Sequence, residues 1–176
     1  MMKLLLAHKE ILFLLLLVVI SSVLPHPANI TPIGALGLFA GTYLRLRGFL
    51  LLPVAAALIA DLTTVGIYSV LIMVFVYTGH LLSALCGRYL VRGHSLPSRL
   101  PLAVIAASLS FYLVSNLGNW WVFLPHTWSG FVECYLTGLP YLLRTLIGNT
   151  LYSGLFFGGF ALLKYWLSRE QAFGHA

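Results

Sequence analysis

The sequence predicts an all-α membrane protein, a bundle of six transmembrane helices with both termini in the cytoplasm. The first observation is composition: 60% of the 176 residues are hydrophobic and 8% are charged, too few charges to cover the surface of a soluble globule. The second is a series of six apolar runs, and the third is the alternation of basic residues between the connections. The length leaves no room for a soluble enzyme domain, so residues 1–176 are expected to form a single integral membrane domain.

The apolar runs, broken by polar residues, Pro or Gly, are the predicted spans. In chain order they are Ile11–Leu24, Ile33–Leu44, Phe49–Ala60, Val65–Gly87, Leu100–Leu117 and Leu136–Leu167. The second and third would each form about 18 Å of helix, against a hydrocarbon core of about 30 Å, so they must tilt, thin the bilayer or be extended. The last would form about 48 Å, so we expect a surface segment before Pro140 and a long span after it. The first also resembles a secretory signal peptide, but Pro25-His26-Pro27 makes a poor cleavage site, which favours a retained helix.

Basic residues define the predicted topology. They precede the first span, separate the second from the third and the fourth from the fifth, and end the sixth: Lys3, Lys9, Arg45, Arg47, Arg88, Arg92, Arg99, Lys164 and Arg169. By the positive-inside rule these segments are cytoplasmic. The other three connections, residues 25–32, 61–64 and 118–139, contain no Lys or Arg and are predicted to face outward.

The outward connections are rich in neutral hydrogen-bonding and aromatic side chains. The candidate ligand-binding residues there are His26, Asn29, Thr31, Asn116, Asn119, Trp120, Trp121 and Trp128. Indoles beside a few polar groups are typical of small-molecule pockets. Trp and Tyr also form aromatic belts at membrane interfaces, so an interfacial belt remains an alternative for the three tryptophans.

Asp61 is the acidic residue at a helix junction in the middle of the chain. Ionisable residues near the membrane are costly and are often functional, so Asp61 is a candidate ligand for a cationic or donor group, or a proton-coupling carboxylate. Its structural alternative is the N-cap of the fourth span, shared with Thr63 or Thr64.

Arg144, Asn149 and Tyr152 are candidate binding residues in the sixth span. Arg144 could hold a ligand anion, pair with Glu133 or extend to the lipid headgroups. Asn149 needs a partner in hydrocarbon, either a ligand or another helix, with Asn116 as a possible partner.

No catalytic, metal or nucleotide motif is present, so neither an enzyme nor a cofactor is predicted. Cys86 and Cys134 have no ligand spacing around them and are expected to be buried thiols. His80 would lie about 21 Å below the outer end of its span, too deep to capture an external ligand. The dispersed basic residues predict topology and not nucleic-acid binding.

Four stretches carry a family resemblance: PHPANITPIGALGLFAG at 25–41, LIADL at 58–62, LVSNLG at 113–118, and the segment 134–153 ending in TLIGNTLYS. They resemble an uncharacterised family of small six-helix bacterial membrane proteins, grouped with the substrate-binding (S) components of energy-coupling-factor transporters. The resemblance implies a bundle that binds a vitamin-type micronutrient or metal at its extracellular end, with a corrinoid as the first ligand to consider. It also implies docking on a transmembrane and ATPase module. The first span lacks the Ala-xxx-Ala face typical of that docking, so a solitary transporter is an alternative.

We therefore expect a multi-pass protein of the bacterial inner membrane that binds a small micronutrient for uptake. Its expected partners are the small-molecule ligand, the lipid bilayer and, where it docks, the energy-coupling module. Two alternatives remain open: an ion- or proton-coupled solitary transporter that uses Asp61, and a membrane assembly subunit without transport activity.

Overall fold

The structure, a computed structural model, describes Val18, residues 29–44 and residues 48–173, without the side chains at 167 and 170–173. These residues form five helices and no strand. The helices are α1 (Ile33–Tyr43), α2 (Gly48–Thr64), α3 (Val70–Cys86), α4 (Leu96–Phe123) and α5 (Trp128–Phe173), and a π-helical turn, Gly87–Val91, continues α3. The first predicted span lies outside the described residues except for Val18, which is helical and fully buried in the core. The six-helix count therefore stays a prediction.

Three of the five helices are long and apolar enough to cross a membrane. They are α3 with its π-helical turn, Val70–Val91, then α4, and α5 from Trp128 to Trp166. The shorter apolar helices, α1 and α2, are the second and third predicted spans. The all-helical, membrane-type fold agrees with the sequence analysis.

The predicted connection 61–64 is instead the last turn of α2. The hydroxyl groups of Thr63 and Thr64 donate to the Ala60 carbonyl, at 3.0 and 2.7 Å, and so remain within the helix. The chain turns after Val65 at Gly66, whose φ of 77° suits a residue without a Cβ. The N-cap of α3 is Ser69, so the alternative role of Asp61 as that cap was wrong.

The predicted outward segment 118–139 is also mostly helical. α4 continues to Phe123, the turn occupies residues 124–127, and α5 begins at Trp128. α5 passes through Pro140 without a break, so the segment before Pro140 and the span after it form one continuous helix. The physical reason is that an apolar environment requires every backbone group to be hydrogen-bonded, and one missing N–H at a proline costs less than a broken helix.

The short helix α1 lies at the centre of the bundle. It packs against α2, α3, α4 and α5, and its residues 33–42 are all buried. Close approach to α3 depends on glycine: a Cβ on Gly41 would collide with the Ala84 carbonyl, and one on Gly87 would collide with the Leu38 carbonyl. Gly37 and Gly41, one turn apart on α1, form a small-residue face that packs on α3 within the chain.

The C-terminal end of α1 is held by arginines from the end of α3. Arg92 donates to the Leu44 carbonyl at 2.8 Å, and Arg88 donates to the same oxygen at 3.4 Å. Positive charge at this end stabilises the helix dipole. The N-terminal end of α1 lies inside the bundle. The segment before it packs against Gly148 of α5.

Candidate functional site

A cavity of about 280 Å³ lies at the N-terminal end of α1. Its wall is formed by the segment before α1, α1 itself, the end of α2, the α2–α3 connection and the three long helices. The lining residues are Asn29, Thr31, Ile33, Gly34, Asp61, Tyr68, Val76, His80, Ser83, Phe111, Thr145 and Asn149. The wall is mixed, with amide, hydroxyl, imidazole and carboxylate groups among apolar ones, as in small-molecule sites.

The cavity reaches the middle of the long helices. His80, Phe111 and Asn149 lie near the midpoints of α3, α4 and α5 respectively. α1 is too short to cross a bilayer and begins at this depth, so its preceding residues enter the bundle and line the cavity there. His80, which was expected to lie too deep to capture an external ligand, lines this cavity.

Asp61 is the one carboxylate that the described residues contribute to the cavity wall, and two tyrosine hydroxyls donate to its Oδ2. The Tyr77 hydroxyl lies at 2.9 Å and the Tyr68 hydroxyl at 3.3 Å. Burial, followed by the charge and the hydrogen bond of Asp61, raises the pKa of Tyr68 to about 12. Tyr68 therefore remains a hydrogen-bond donor at neutral pH, and within the described part of the chain no Lys or Arg lines the cavity beside Asp61.

His80 is 7% exposed, and its ring packs on Phe111 with centroids 4.8 Å apart. Its Nδ1 has no hydrogen-bond partner among the described residues. An unpartnered buried ring nitrogen is costly, which marks this wall of the cavity as a place for a polar ligand group.

Among the described residues, no side chain caps the N-terminal end of α1. Its N-cap residue is Pro32, which makes no capping hydrogen bond, and the next two residues, Ile33 and Gly34, line the cavity. The first backbone N–H groups of a helix lack partners within the helix, and here they are buried. Opposite them, Asn149 donates to Ser108 Oγ at 3.0 Å, which orients its amide.

Asn29, which precedes α1, donates to Thr145 Oγ1 at 3.4 Å. It adopts a left-handed conformation with φ 68°, which asparagine tolerates better than most residues. The hydrogen bond between Asn29 and Thr145 therefore holds the segment before α1 against α5.

Four of the twelve predicted site residues line the cavity: Asn29, Thr31, Asp61 and Asn149. Sequence reasoning missed four polar lining residues, Tyr68, His80, Ser83 and Thr145. The signal that could have found His80 is an ionisable side chain within an apolar span, which is rare without a functional reason. His26 lies outside the described residues.

Asn116 does not line the cavity and is used in packing α4 against α5. It donates to the Tyr112 carbonyl at 2.8 Å, and its side chain lies against Gly138. The suggestion that Asn116 is the partner of Asn149 was wrong, since Asn149 donates to Ser108, which lies about two turns before Asn116 on α4.

The predicted tryptophans form an aromatic cluster at the turn between α4 and α5, which we call the outer end. Trp121 stacks on His126 at 4.8 Å, and Trp120 and Trp128 both contact Phe131. Asn119 lies beside them in sequence. None of these residues lines the cavity, and Trp120 is about 13 Å further along α4 than Phe111.

The two remaining predicted residues also lie outside the cavity wall. Arg144 is exposed, with its guanidinium over the Tyr141 ring at 5.4 Å, and Tyr152 packs beside Phe156. Within the described part of the chain, no three His, Cys, Asp or Glu residues lie close enough together to hold a metal ion.

A family model matches residues 6–171, nearly the whole chain, and its description is "Family of unknown function (DUF6580)". The chain belongs to this family. No curated protein and no solved structure matches the chain. The family's match includes every element that lines the cavity, from the segment before α1 to the middle of α5.

Proposed function

We propose that the chain is a membrane-embedded binding protein for a small polar micronutrient and serves in its uptake across the bacterial inner membrane. The observation that carries this proposal is the mixed polar cavity, which extends from the α2–α3 connection to the middle of the long apolar helices. Buried polar groups in hydrocarbon are expensive unless they have partners, and a ligand is a partner for several at once.

The size of the cavity supports a small ligand. A cavity of about 150 Å³ is known to hold benzene, so 280 Å³ has room for roughly ten non-hydrogen atoms. A corrinoid is far larger than this. We therefore propose a compact ligand and not a large vitamin-type molecule. Docking on an energy-coupling module, as in S components, remains part of the proposal.

Native mass spectrometry of the protein, purified in mild detergent from its own host, tests the proposal. Val76 lines the cavity, and Val76→Phe would fill part of it; Val74 on the same helix is 56% exposed, so Val74→Phe is the matched control. We expect a bound small molecule in the wild type and in Val74→Phe, and none in Val76→Phe.

Two further variants locate the site within the bundle. Asn119→Ala and Trp128→Ala alter the outer end without touching the cavity wall. We expect both to retain the bound molecule. If these two variants lost the bound molecule and Val76→Phe retained it, the ligand would bind at the outer end and not in the cavity. A wild type that carries no small molecule and co-purifies with one fixed membrane protein would favour the assembly subunit.

A proton-coupled transporter is the second candidate, because the cavity contains a carboxylate with two tyrosine hydroxyl partners and, among the described residues, no Lys or Arg in its wall. In that case Asp61→Asn would retain ligand binding in detergent but lose uptake driven by a pH gradient in proteoliposomes.

A further inference from the structure

We propose that the ligand is a small zwitterion, with a carboxylate bound at the N-terminal end of α1 and an ammonium group bound at Asp61. This inference rests on the proposed function and specifies its ligand class. It derives from two polar regions of the same cavity wall, one that offers donors and one that offers a negative charge.

The donor region is the uncapped start of α1. Helix N-termini carry a partial positive charge and unpaired N–H groups, and so they bind anions. At α1 these groups are buried, the N-cap is a proline without a capping bond, and Ile33 and Gly34 line the cavity. Two arginines offset the opposite charge at the C-terminal end, whereas no described side chain offsets the partial positive charge at the N-terminal end.

His80 provides independent support for a ligand at this place. Its side chain is more than nine-tenths buried, lines the same cavity, and has an Nδ1 without a partner among the described residues. An imidazole N–H that donates to a carboxylate oxygen would satisfy this group. The hydroxyl of Thr31, which precedes the helix, is a further donor in the wall.

The negative region is Asp61. Tyr68 and Tyr77 donate to its carboxylate, which holds the side chain at this place in the cavity wall. A purely anionic ligand in the same small cavity would be repelled by this charge. A ligand that also carries an ammonium group turns the repulsion into attraction, and the remaining room suits an amino acid of roughly ten non-hydrogen atoms.

The test uses the full-length protein in detergent, with the twenty common amino acids as probes. The readout is the shift in Tm, because a ligand that binds the folded state raises Tm. Each amino acid that binds is then compared with its amide, which lacks the carboxylate, and its N-acetyl derivative, which lacks the ammonium group. We expect at least one amino acid to bind, with both derivatives at least tenfold weaker. We expect Val76→Phe to abolish the shift and Val74→Phe to retain it.

Asp61→Asn gives a readout that a merely structural role would not produce. We expect the preference for the amino acid over its N-acetyl derivative to fall from tenfold or more to about equal. Three results would each overturn the zwitterion proposal. They are an amide that binds the wild type as tightly as its amino acid does, an N-acetyl derivative that does so, and no binding by any amino acid. A bound molecule of another class in native mass spectrometry would then leave the uptake proposal intact, whereas no bound molecule would remove both.

Discussion

The hydroxyl of Tyr77 donates to the carboxylate of Asp61 at 2.9 Å and so joins the end of α2 to α3. Tyr68, in the connection between these helices, donates to the same oxygen at 3.3 Å. The α2–α3 hairpin is thus closed by a carboxylate that also lines the cavity. One group therefore links the stability of this hairpin to the charge of the candidate site.

Removal of the Tyr77 hydroxyl should weaken the hairpin. We expect Tyr77→Phe to lower the free energy of unfolding by about 1–2 kcal/mol, because hydrogen bonds to charged groups are among the stronger ones. Titration with a denaturing detergent in mixed micelles measures this. Tyr141→Phe is the control, since Tyr141 is exposed, and should change stability by less than about 0.5 kcal/mol. Equal effects would mean that the bond to Asp61 contributes nothing.

The titration of Tyr68 should report the charge of Asp61. The pKa of Tyr68 is raised from 10.0 to about 12 in the folded protein, so its contribution to stability is fully present below pH 10 and is lost as the pH rises towards 12. NMR of protein labelled at the tyrosine Cζ follows the ionisation. We expect Asp61→Asn to lower the titration midpoint of Tyr68, because the substitution removes the charge of Asp61 and the hydrogen bond to its carboxylate. An unchanged midpoint would contradict this contact.

The hydrogen bond between Asn149 and Ser108 should couple α5 to α4. Both side chains are almost fully buried, and the bond length is 3.0 Å. In a double-mutant cycle of Asn149→Ala and Ser108→Ala we expect a coupling energy of about 0.5–2 kcal/mol, the range for hydrogen bonds between membrane helices. Thr150→Ala replaces Ser108→Ala in the control cycle, since Thr150 is exposed and bonds to the Leu146 carbonyl. Strict additivity in the first cycle would argue against the bond.

Close packing of α1 on α3 should be sensitive to a single methyl group. A Cβ on Gly41 would overlap backbone atoms of Ala84, which cannot rotate away as a side chain can. We expect Gly41→Ala to lower the free energy of unfolding by about 1–3 kcal/mol, the usual cost of overpacking. Gly158→Ala on α5 is the matched control, because nothing lies within 4 Å of the added atom. A neutral Gly41→Ala would mean that the helices separate at little cost.

Much of the fold could be predicted from the sequence, because apolar length and charge placement act locally. The predicted second span, Ile33–Leu44, and the helix Ile33–Tyr43 differ by one residue. The errors arose where polar residues were interpreted as loops. The threonines after Asp61 hydrogen-bond back into α2, and Pro140 is accommodated within α5, because helices in an apolar environment keep their backbone bonds.

The sequence by itself determined that this is an all-helical membrane-type protein, and it identified Asn29, Thr31, Asp61 and Asn149 as candidate site residues. Only the tertiary structure decided that these four meet at one cavity, that the cavity reaches the middle of the long helices, and that His80 belongs to it. The physical reason is the burial of α1. Hydropathy gives the length of a helix but not its position along the membrane normal, and that position depends on which neighbours its glycines allow it to approach.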